Sequence, residues 1–142
     1  MLDPALAAFI ELDHQALAAI VRGDPEPKKK LFSRRDDVTL ANPFGPPAHG
    51  WQKVAETLER AASQLRDGKV LACERISEYA TADLAYIVEI ERCHGRAGTS
   101  EAAPNALRVT TIFRHEDGEW RIVHRHADPI TSPRPAESIL QR

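Results

Sequence analysis

The chain has 142 residues, of which 42% are hydrophobic and 28% charged, and this is enough for one globular domain with a sizeable core. Its formal charge of -2 comes from interspersed acidic and basic residues, so no large positive surface is expected and nucleic acid is excluded as a partner. No apolar run approaches the roughly 20 residues that cross a bilayer, and the acidic N-terminus differs from a secretory signal. We therefore expect a cytoplasmic protein with no membrane partner.

The first predicted helix begins at Asp3-Pro4, a favourable N-cap and first-turn pair, and ends before Gly23. Its apolar residues recur at helical spacing: Leu6, Phe9, Ile10, Leu17, Ile20 and Val21. His14 falls on this apolar stripe, and Asp13 lies at its edge. His14 is therefore either a core or rim histidine satisfied by one hydrogen bond, or a residue that lines a cavity.

A short second helix is predicted from Pro27 to Ser33, with Leu31 and Phe32 facing inward. We interpret the basic run from Lys28 to Lys30 as the solvated face of this helix. A short edge strand is predicted from Asp37 to Asn42, because the proline-rich segment that follows cannot continue a sheet ladder.

The third predicted helix follows Gly50, ends at Asp67-Gly68 and has the clearest amphipathic pattern. Its apolar residues are Trp51, Val54, Ala55, Leu58, Ala62 and Leu65. The later elements are all predicted strands: Lys69–Ala80, Leu84–His94, Ala106–His115 and Glu119–Ala127. The two cysteines, Cys73 and Cys93, lack metal-type spacing, so we expect free thiols and neither a metal nor another cofactor.

Alternation of residue types is sharpest in the second of these strands. Its two faces carry Leu84, Tyr86, Val88 and Ile90 on one side, and Ile87, Glu89 and Glu91 on the other. We expect the first set to face the helices.

Helices that come first and long strands that come last indicate an α+β fold. We predict a curved antiparallel sheet that forms a cone, with three N-terminal helices on its concave face. Residues 1–129 would form this single domain, and residues 130–142 a C-terminal tail. A cone covered by helices encloses a cavity, and binding sites lie in such cavities.

Four segments carry a family resemblance. They are GD near Gly23, DVTLANPFG from Asp37 to Gly45, HGWQKV at the start of the third helix, and DGEWRIVHRH near the end. In their order and spacing the chain resembles SnoaL-like proteins of the nuclear transport factor two-like superfamily, which includes ketosteroid isomerases, polyketide cyclases and the association domain of calmodulin-dependent kinase. The resemblance covers residues 3–129 and implies the cone fold. It implies no single function, because this fold hosts many activities and noncatalytic binders.

Carried over residue by residue, the resemblance argues against steroid isomerase chemistry. Ketosteroid isomerases have their catalytic aspartate directly before the proline of the segment that corresponds to residues 40–45, and here that position is Asn42. Their enolate-binding tyrosine corresponds to Ala16, and their protonated aspartic acid to Thr110 or Thr111. An amide cannot act as the base, and both acidic donors are missing.

The segment from Leu107 to Pro129 is predicted to form a β-hairpin around Asp117-Gly118, in one of two registers. With a two-residue turn, Phe113 opposes Ile122. The inward residues are then Trp120, Ile122, His124 and His126. With a left-handed bulge at Gly118, Phe113 opposes Arg121. The inward residues are then Val123, Arg125 and Ala127, together with Val109 and Thr111.

The second register agrees better with the resemblance and is preferred. It leaves four residues on the convex face: Trp120, Ile122, His124 and His126. Because Trp and Ile would otherwise lie in water, we expect a homodimer packed through this face. Arg125 would bind a carboxylate or another anionic group, or would pair with an internal acid such as Glu89 or Asp13. His124 and His126 share a face but have no third ligand, so no metal site is expected there.

The sequence therefore favours a small-molecule-binding protein whose ligand is apolar with a polar or anionic group. The predicted ligand-binding residues are His14, Asn42, Phe44, Trp51, Tyr86, Val88, Val109, Thr111 and Arg125. The alternative is an isomerase, cyclase or dehydratase of a hydrophobic carbonyl compound, with His14 or Asp128 as the general base. Asn42 or Thr111 would then donate to an enolate oxygen. A third hypothesis is an association module whose purpose is oligomerisation.

Overall fold

The computed structural model describes residues 2–141. Within them lie the α-helices α1 (Pro4–Ile20), α2 (Glu26–Leu31) and α3 (Trp51–Ser63). The strands are β1 (Thr39–Ala41), β2 (Ala48–His49), β3 (Leu65–Ala80), β4 (Leu84–Ala97), β5 (Ala103–Glu116) and β6 (Glu119–Asp128). A single turn of 3₁₀ helix, Ala136–Ile139, follows. Over residues 2–141, every helix is too short or too polar to cross a membrane.

The six strands form one curved, unclosed sheet in the order β2-β1-β6-β5-β4-β3. Neighbouring strands are antiparallel except β1 and β6, which are parallel, a pairing that the predicted antiparallel sheet did not include. The predicted α+β cone is otherwise confirmed. The division into a domain of residues 1–129 and a tail stays a prediction.

Helix α1 forms where the sequence predicts it. The Asp3 carboxylate accepts a hydrogen bond from the Leu6 backbone N–H at 2.9 Å, and Pro4 occupies the first turn. Its inward stripe buries Leu6, Ile10, Asp13, Ala16, Leu17, Ala19 and Ile20. The Phe9 ring meets the Phe113 ring of β5 edge to face, with centroids 5.9 Å apart. Helix α1 thus packs on the concave face of the sheet.

The two faces of β4 are the reverse of the prediction. The residues buried beneath the helices are Ala85, Ile87, Glu89, Glu91 and Cys93. Leu84 and Tyr86 are instead 49% and 38% exposed on the convex face. Alternation separates two faces but does not say which one is inward. Here the acids are inward because cations from other elements neutralise them, as described below.

The closing hairpin has the two-residue turn. Asp117 and Gly118 both have positive φ, 50° and 83°, and Phe113 opposes Ile122 across the two strands. Trp120 and Ile122 are therefore in the core, with 6% and 0% of their surface exposed. Their predicted position on the convex face is wrong, because that prediction depended on the bulged turn.

Farther from the turn, the residues that face inward are those of the other predicted register. The pairing shifts by one residue at Val123, which forms a bulge on β6. Thr111 consequently opposes Arg125, and both Val123 and Arg125 are buried on the concave side. His124 and His126 lie on the convex side, as the preferred register predicts. The bulge therefore combines the inward residues of the two predicted registers in one hairpin, although Thr111 opposes Arg125 and not Val123, which the bulged turn would have placed opposite it.

Candidate functional site

A cavity of about 390 Å³ lies inside the cone, between the helices and the concave face of the sheet. Its wall is mainly apolar and includes Leu17, Leu40, Phe44, Leu58, Leu107 and Ala127. Its polar lining consists of Lys28, Asn42, Glu91, Asn105 and Arg125. The cavity therefore offers an apolar space with a small number of polar groups, as small-molecule sites do.

The loop after β1 contributes Asn42, Pro43 and Phe44 to the cavity lining. Asn42 accepts a hydrogen bond from the Phe44 backbone N–H at 3.0 Å through its side-chain oxygen, which fixes the turn. The Phe44 ring is 56% exposed and also borders a smaller depression, of about 170 Å³, whose lining includes Thr57 and Arg60 of α3.

Arg125 faces the cavity, but an internal carboxylate neutralises it. Its two terminal nitrogens each donate to one oxygen of Glu91, both at 2.8 Å, and both residues are buried. Burial alone would raise the pKa of Glu91, but the charge and hydrogen bonds of Arg125, together with the charges of Lys28 and His14, hold the pKa below its usual value. A bidentate pair of this kind satisfies the guanidinium. The predicted use of Arg125 to bind an anionic ligand therefore loses its basis.

Lys28 forms a second buried ion pair beside the first. Its ammonium group donates to the Asp13 carboxylate, and its side chain is only 2% exposed. The prediction that Lys28 lies on a solvated face is wrong, because the short helix α2 turns this residue toward α1. The two acids and two bases, Asp13, Glu91, Lys28 and Arg125, sum to zero charge. The floor of the cavity is thus polar but electrically balanced.

His14 does not line the cavity. Its Nε2 lies 2.9 Å from one Glu89 oxygen and 3.2 Å from the other, and Arg75 donates to the same carboxylate at 2.8 Å. Hydrogen bonds with Cys73 and Glu89 raise the pKa of His14 to about 10, against the opposing effect of burial. His14 is consequently protonated at neutral pH and cannot accept a proton as a general base.

Asp128 lies outside the cone. One of its oxygens accepts from Arg108 at 2.7 Å and from the Ile130 backbone N–H at 3.0 Å, and the other lies 3.1 Å from Nε2 of His126. With Val88 it lines a depression on the convex face rather than the cavity. Both weak candidates for a catalytic base are therefore away from the cavity wall.

Residues 10–131 match the sequence profile of the family described as the SnoaL-like domain, which is most of the chain. The chain belongs to this family. No curated protein matches the sequence. Similar solved structures show that this SnoaL-like chain has the fold of the nuclear transport factor two-like proteins.

Three of these structures align with most of the chain. A nuclear transport factor two-like superfamily protein from Salmonella enterica has a TM-score of 0.74 and 19% identity, and the alignment covers 89% of this chain and 92% of that one. A ketosteroid isomerase-like protein from Erwinia carotovora has a TM-score of 0.73 and 21% identity, with 92% and 100% covered. A domain of unknown function with a cystatin-like fold from Nostoc punctiforme has a TM-score of 0.71 and 16% identity, with 93% and 81% covered.

The remaining predicted site residues of the SnoaL-like chain lie outside the cavity lining. Trp51 packs against the core with the Arg34 guanidinium 3.6 Å above its ring. Val109 and Thr111 are buried on the concave side without lining the cavity, and Tyr86 and Val88 belong to the convex face. Of the nine predicted ligand-binding residues, the cavity wall contains Asn42, Phe44 and Arg125.

Sequence reasoning missed several residues of the SnoaL-like cavity, chiefly Lys28, Glu91 and Cys93. Burial raises the pKa of the Cys93 thiol to about 11, so it is protonated at neutral pH. A partial signal for Glu91 was present, because it shares a face of β4 with Glu89, and two acids on one strand face could pair with an inward Arg125. The pairing itself had no local signal, because β5 lies between β4 and β6. Lys28 had no such signal, since it is one of three consecutive lysines.

Proposed function

We propose that this protein binds a small, mostly apolar and uncharged molecule in the cavity inside the cone, without transforming it. The observation that carries the proposal is the combination of an apolar wall with a charge-balanced floor. Apolar surface supplies the binding free energy. Arg125 and Lys28 have their own carboxylate partners, so an anionic ligand would have to be desolvated without gaining a free cation.

Binding without chemistry is supported by the side chains on the cavity wall in residues 2–141. Glu91 has a lowered pKa and both its oxygens engaged, so it is a weak base. Cys93 is protonated, and Lys28 is paired with Asp13. General acid–base catalysis needs a group whose pKa lies near the working pH. The polar groups suited to a neutral ligand are the amides of Asn42 and Asn105.

Paired ligands of equal chain length test the ligand class. Decan-1-ol is expected to bind at least about tenfold more tightly than decanoate in isothermal titration calorimetry, which corresponds to about 1.4 kcal/mol. The alcohol can hydrogen-bond within the cavity, whereas both cations on the described cavity wall, Lys28 and Arg125, already have carboxylate partners. Tighter binding of decanoate would overturn the assignment of an uncharged ligand.

A space-filling substitution tests the location. Leu107→Trp adds bulk to the cavity wall and is expected to weaken decan-1-ol binding by at least about tenfold. Leu12→Trp is the matched control, because Leu12 is 49% exposed on α1 and lies outside the cavity lining. If Leu107→Trp and Leu12→Trp bind decan-1-ol equally well and both have unchanged circular dichroism, the ligand does not bind in the cavity.

We also propose that the protein forms a homodimer through the convex face of the sheet. Of the residues expected from the sequence, Trp120 and Ile122 are in the core, so most of the support comes from other side chains. Tyr79 and Tyr86 stack across β3 and β4 with ring centroids 6.1 Å apart and are 58% and 38% exposed. The same cross-strand row continues through Ile112 to His124. A second copy would cover these exposed apolar side chains.

Tyr86→Lys is expected to weaken the dimer by at least about 2 kcal/mol, because it places a charge in the centre of the apolar row. Light scattering coupled to size exclusion would then report a monomer at concentrations at which the unsubstituted protein is dimeric. Leu12→Lys, an exposed apolar position on α1, is expected to leave the dimer intact. A monomer in the unsubstituted protein would contradict the proposal.

A further inference from the structure

Three potential metal ligands converge beside the cavity. The ligand atoms of His14, Cys73 and Glu89 all lie within 4.8 Å of one another. His14 Nε2 lies 2.9 Å from a Glu89 oxygen. None of the three lines the cavity, so this cluster is separate from the proposed ligand site.

The fold brings the cluster together from three elements. Glu89 belongs to the concave face of β4, and Cys73 of the edge strand β3 is paired with Glu91 on the same face. His14 lies on α1, one residue after the buried Asp13. The three side chains are thus far apart in sequence and meet where α1 crosses the free edge of the sheet.

We propose that His14, Cys73 and Glu89 bind one Zn²⁺ ion, with water as the fourth ligand. An imidazole nitrogen, a thiolate and a carboxylate are all common zinc ligands, and three protein ligands with one open position is a recurring zinc arrangement. In a tetrahedral site, ligand atoms lie roughly 3.2–3.7 Å apart at normal bond lengths. The distances in the cluster are close enough for side-chain rotation to reach this geometry. The His14 side chain is 23% exposed, so water can reach the open position.

The exchange of protons for metal balances charge. Zinc takes the place of the proton that lies between His14 and Glu89, and Cys73 loses its thiol proton to become a thiolate. Two protons leave and one doubly charged ion enters, so the net charge of the cluster does not change. A buried site is most favourable when such an exchange adds no charge.

The positive charge of Arg75 would repel a cation bound here, because Arg75 lies next to the cluster and donates to one Glu89 oxygen at 2.8 Å. Its Nη1 also donates to Glu78 at 2.7 Å, so a second acid offsets its charge. Its contact with Glu89 leaves the other carboxylate oxygen directed at His14. In metal sites, a carboxylate ligand is commonly held by a hydrogen bond from a residue that does not itself bind the metal, and Arg75 would have this role for Glu89.

Zinc would join α1 to β3, the strand with a free edge. Much of β3 beyond Cys73 is exposed, so a zinc ion that links Cys73 to α1 would restrain this part of the strand. Because an ion that binds only the folded state stabilises it, zinc is expected to raise Tm. This readout does not depend on any ligand in the cavity.

The test titrates untagged protein with Co²⁺ as a spectroscopic substitute for Zn²⁺. One Co²⁺ per chain is expected, with a near-ultraviolet thiolate-to-cobalt absorption band that Zn²⁺ abolishes by displacement. Cys73→Ser should remove the band, and His14→Gln should weaken Co²⁺ binding by more than about 100-fold, since even outer-shell substitutions cost 10–100-fold. Zn²⁺ should raise Tm in the unsubstituted protein and in neither variant.

Cys93→Ser is the matched control, because Cys93 is the other free cysteine and lies outside the cluster. It should retain the absorption band, the 1:1 stoichiometry and the rise in Tm. If Cys73→Ser does not fold, His14→Gln tests the proposed site by the same Co²⁺ titration and Tm measurements. Absence of the band in the unsubstituted protein, or its loss in Cys93→Ser with retention in Cys73→Ser, would show that the cluster is only an ion-pair network.

Discussion

Glu91→Gln is expected to lower the free energy of unfolding by about 3–5 kcal/mol. The substitution keeps the size of the side chain and removes the charge that neutralises Arg125, whose side chain is only 9% exposed. A buried guanidinium without a carboxylate partner is far more costly than the loss of one surface ion pair. Urea unfolding monitored by tryptophan fluorescence and circular dichroism measures the change.

The control is Glu101→Gln, because Glu101 is exposed in the loop between β4 and β5. It should change stability by no more than about 0.5 kcal/mol. The double variant Glu91→Leu with Arg125→Met should regain much of the lost stability, since it leaves neither charge unpaired. A single-variant loss below about 1 kcal/mol would mean that solvent reaches the pair and that the cavity floor is not buried as described.

Much of the fold can be predicted because its signals are local. The Asp3 cap, the apolar spacing of α1 and the amphipathic pattern of α3 each depend on residues a few positions apart. The positions of the four long strands follow in the same way from β-rich runs between turns. Pairing of β1 with β6 has no local signal, because the two strands are separated by most of the chain.

The candidate site was harder to predict because burial of charge depends on partners in other elements. In β4, Leu84 and Tyr86 look like core residues, and Glu89 and Glu91 look like surface residues. The structure reverses them, since Arg75, His14 and Arg125 supply cations on the concave side. Binary patterning measures hydrophobicity and does not detect such compensation.

The hairpin shows a related difficulty. Each of the two predicted registers is uniform along the entire hairpin. In the structure, the bulge at Val123 changes the register partway along β6. Trp120 and Ile122 therefore enter the core while Arg125 also faces inward. The burial of two adjacent residues, Ile122 and Val123, is the physical consequence of the bulge. A single sequence does not specify where a bulge occurs.

Lys28→Met is expected to cost about 3–5 kcal/mol of unfolding free energy, for the same reason as Glu91→Gln but at the other buried pair. Methionine fills a similar volume and leaves the Asp13 carboxylate, which is 3% exposed, without its ammonium partner. Arg125 lies close enough to interact with Asp13, but it is already engaged by Glu91. Chemical unfolding in urea provides the measurement, with circular dichroism to check that the variant folds.

The lysine run supplies its own control. Lys30→Met makes the same substitution two residues along, at an exposed position of α2, and should change stability by no more than about 0.5 kcal/mol. Asp13→Leu combined with Lys28→Met should be more stable than Lys28→Met alone, because it removes the unpaired carboxylate. If Lys28→Met and Lys30→Met cost the same, Lys28 is solvated, and the charge balance that supports an uncharged ligand no longer holds.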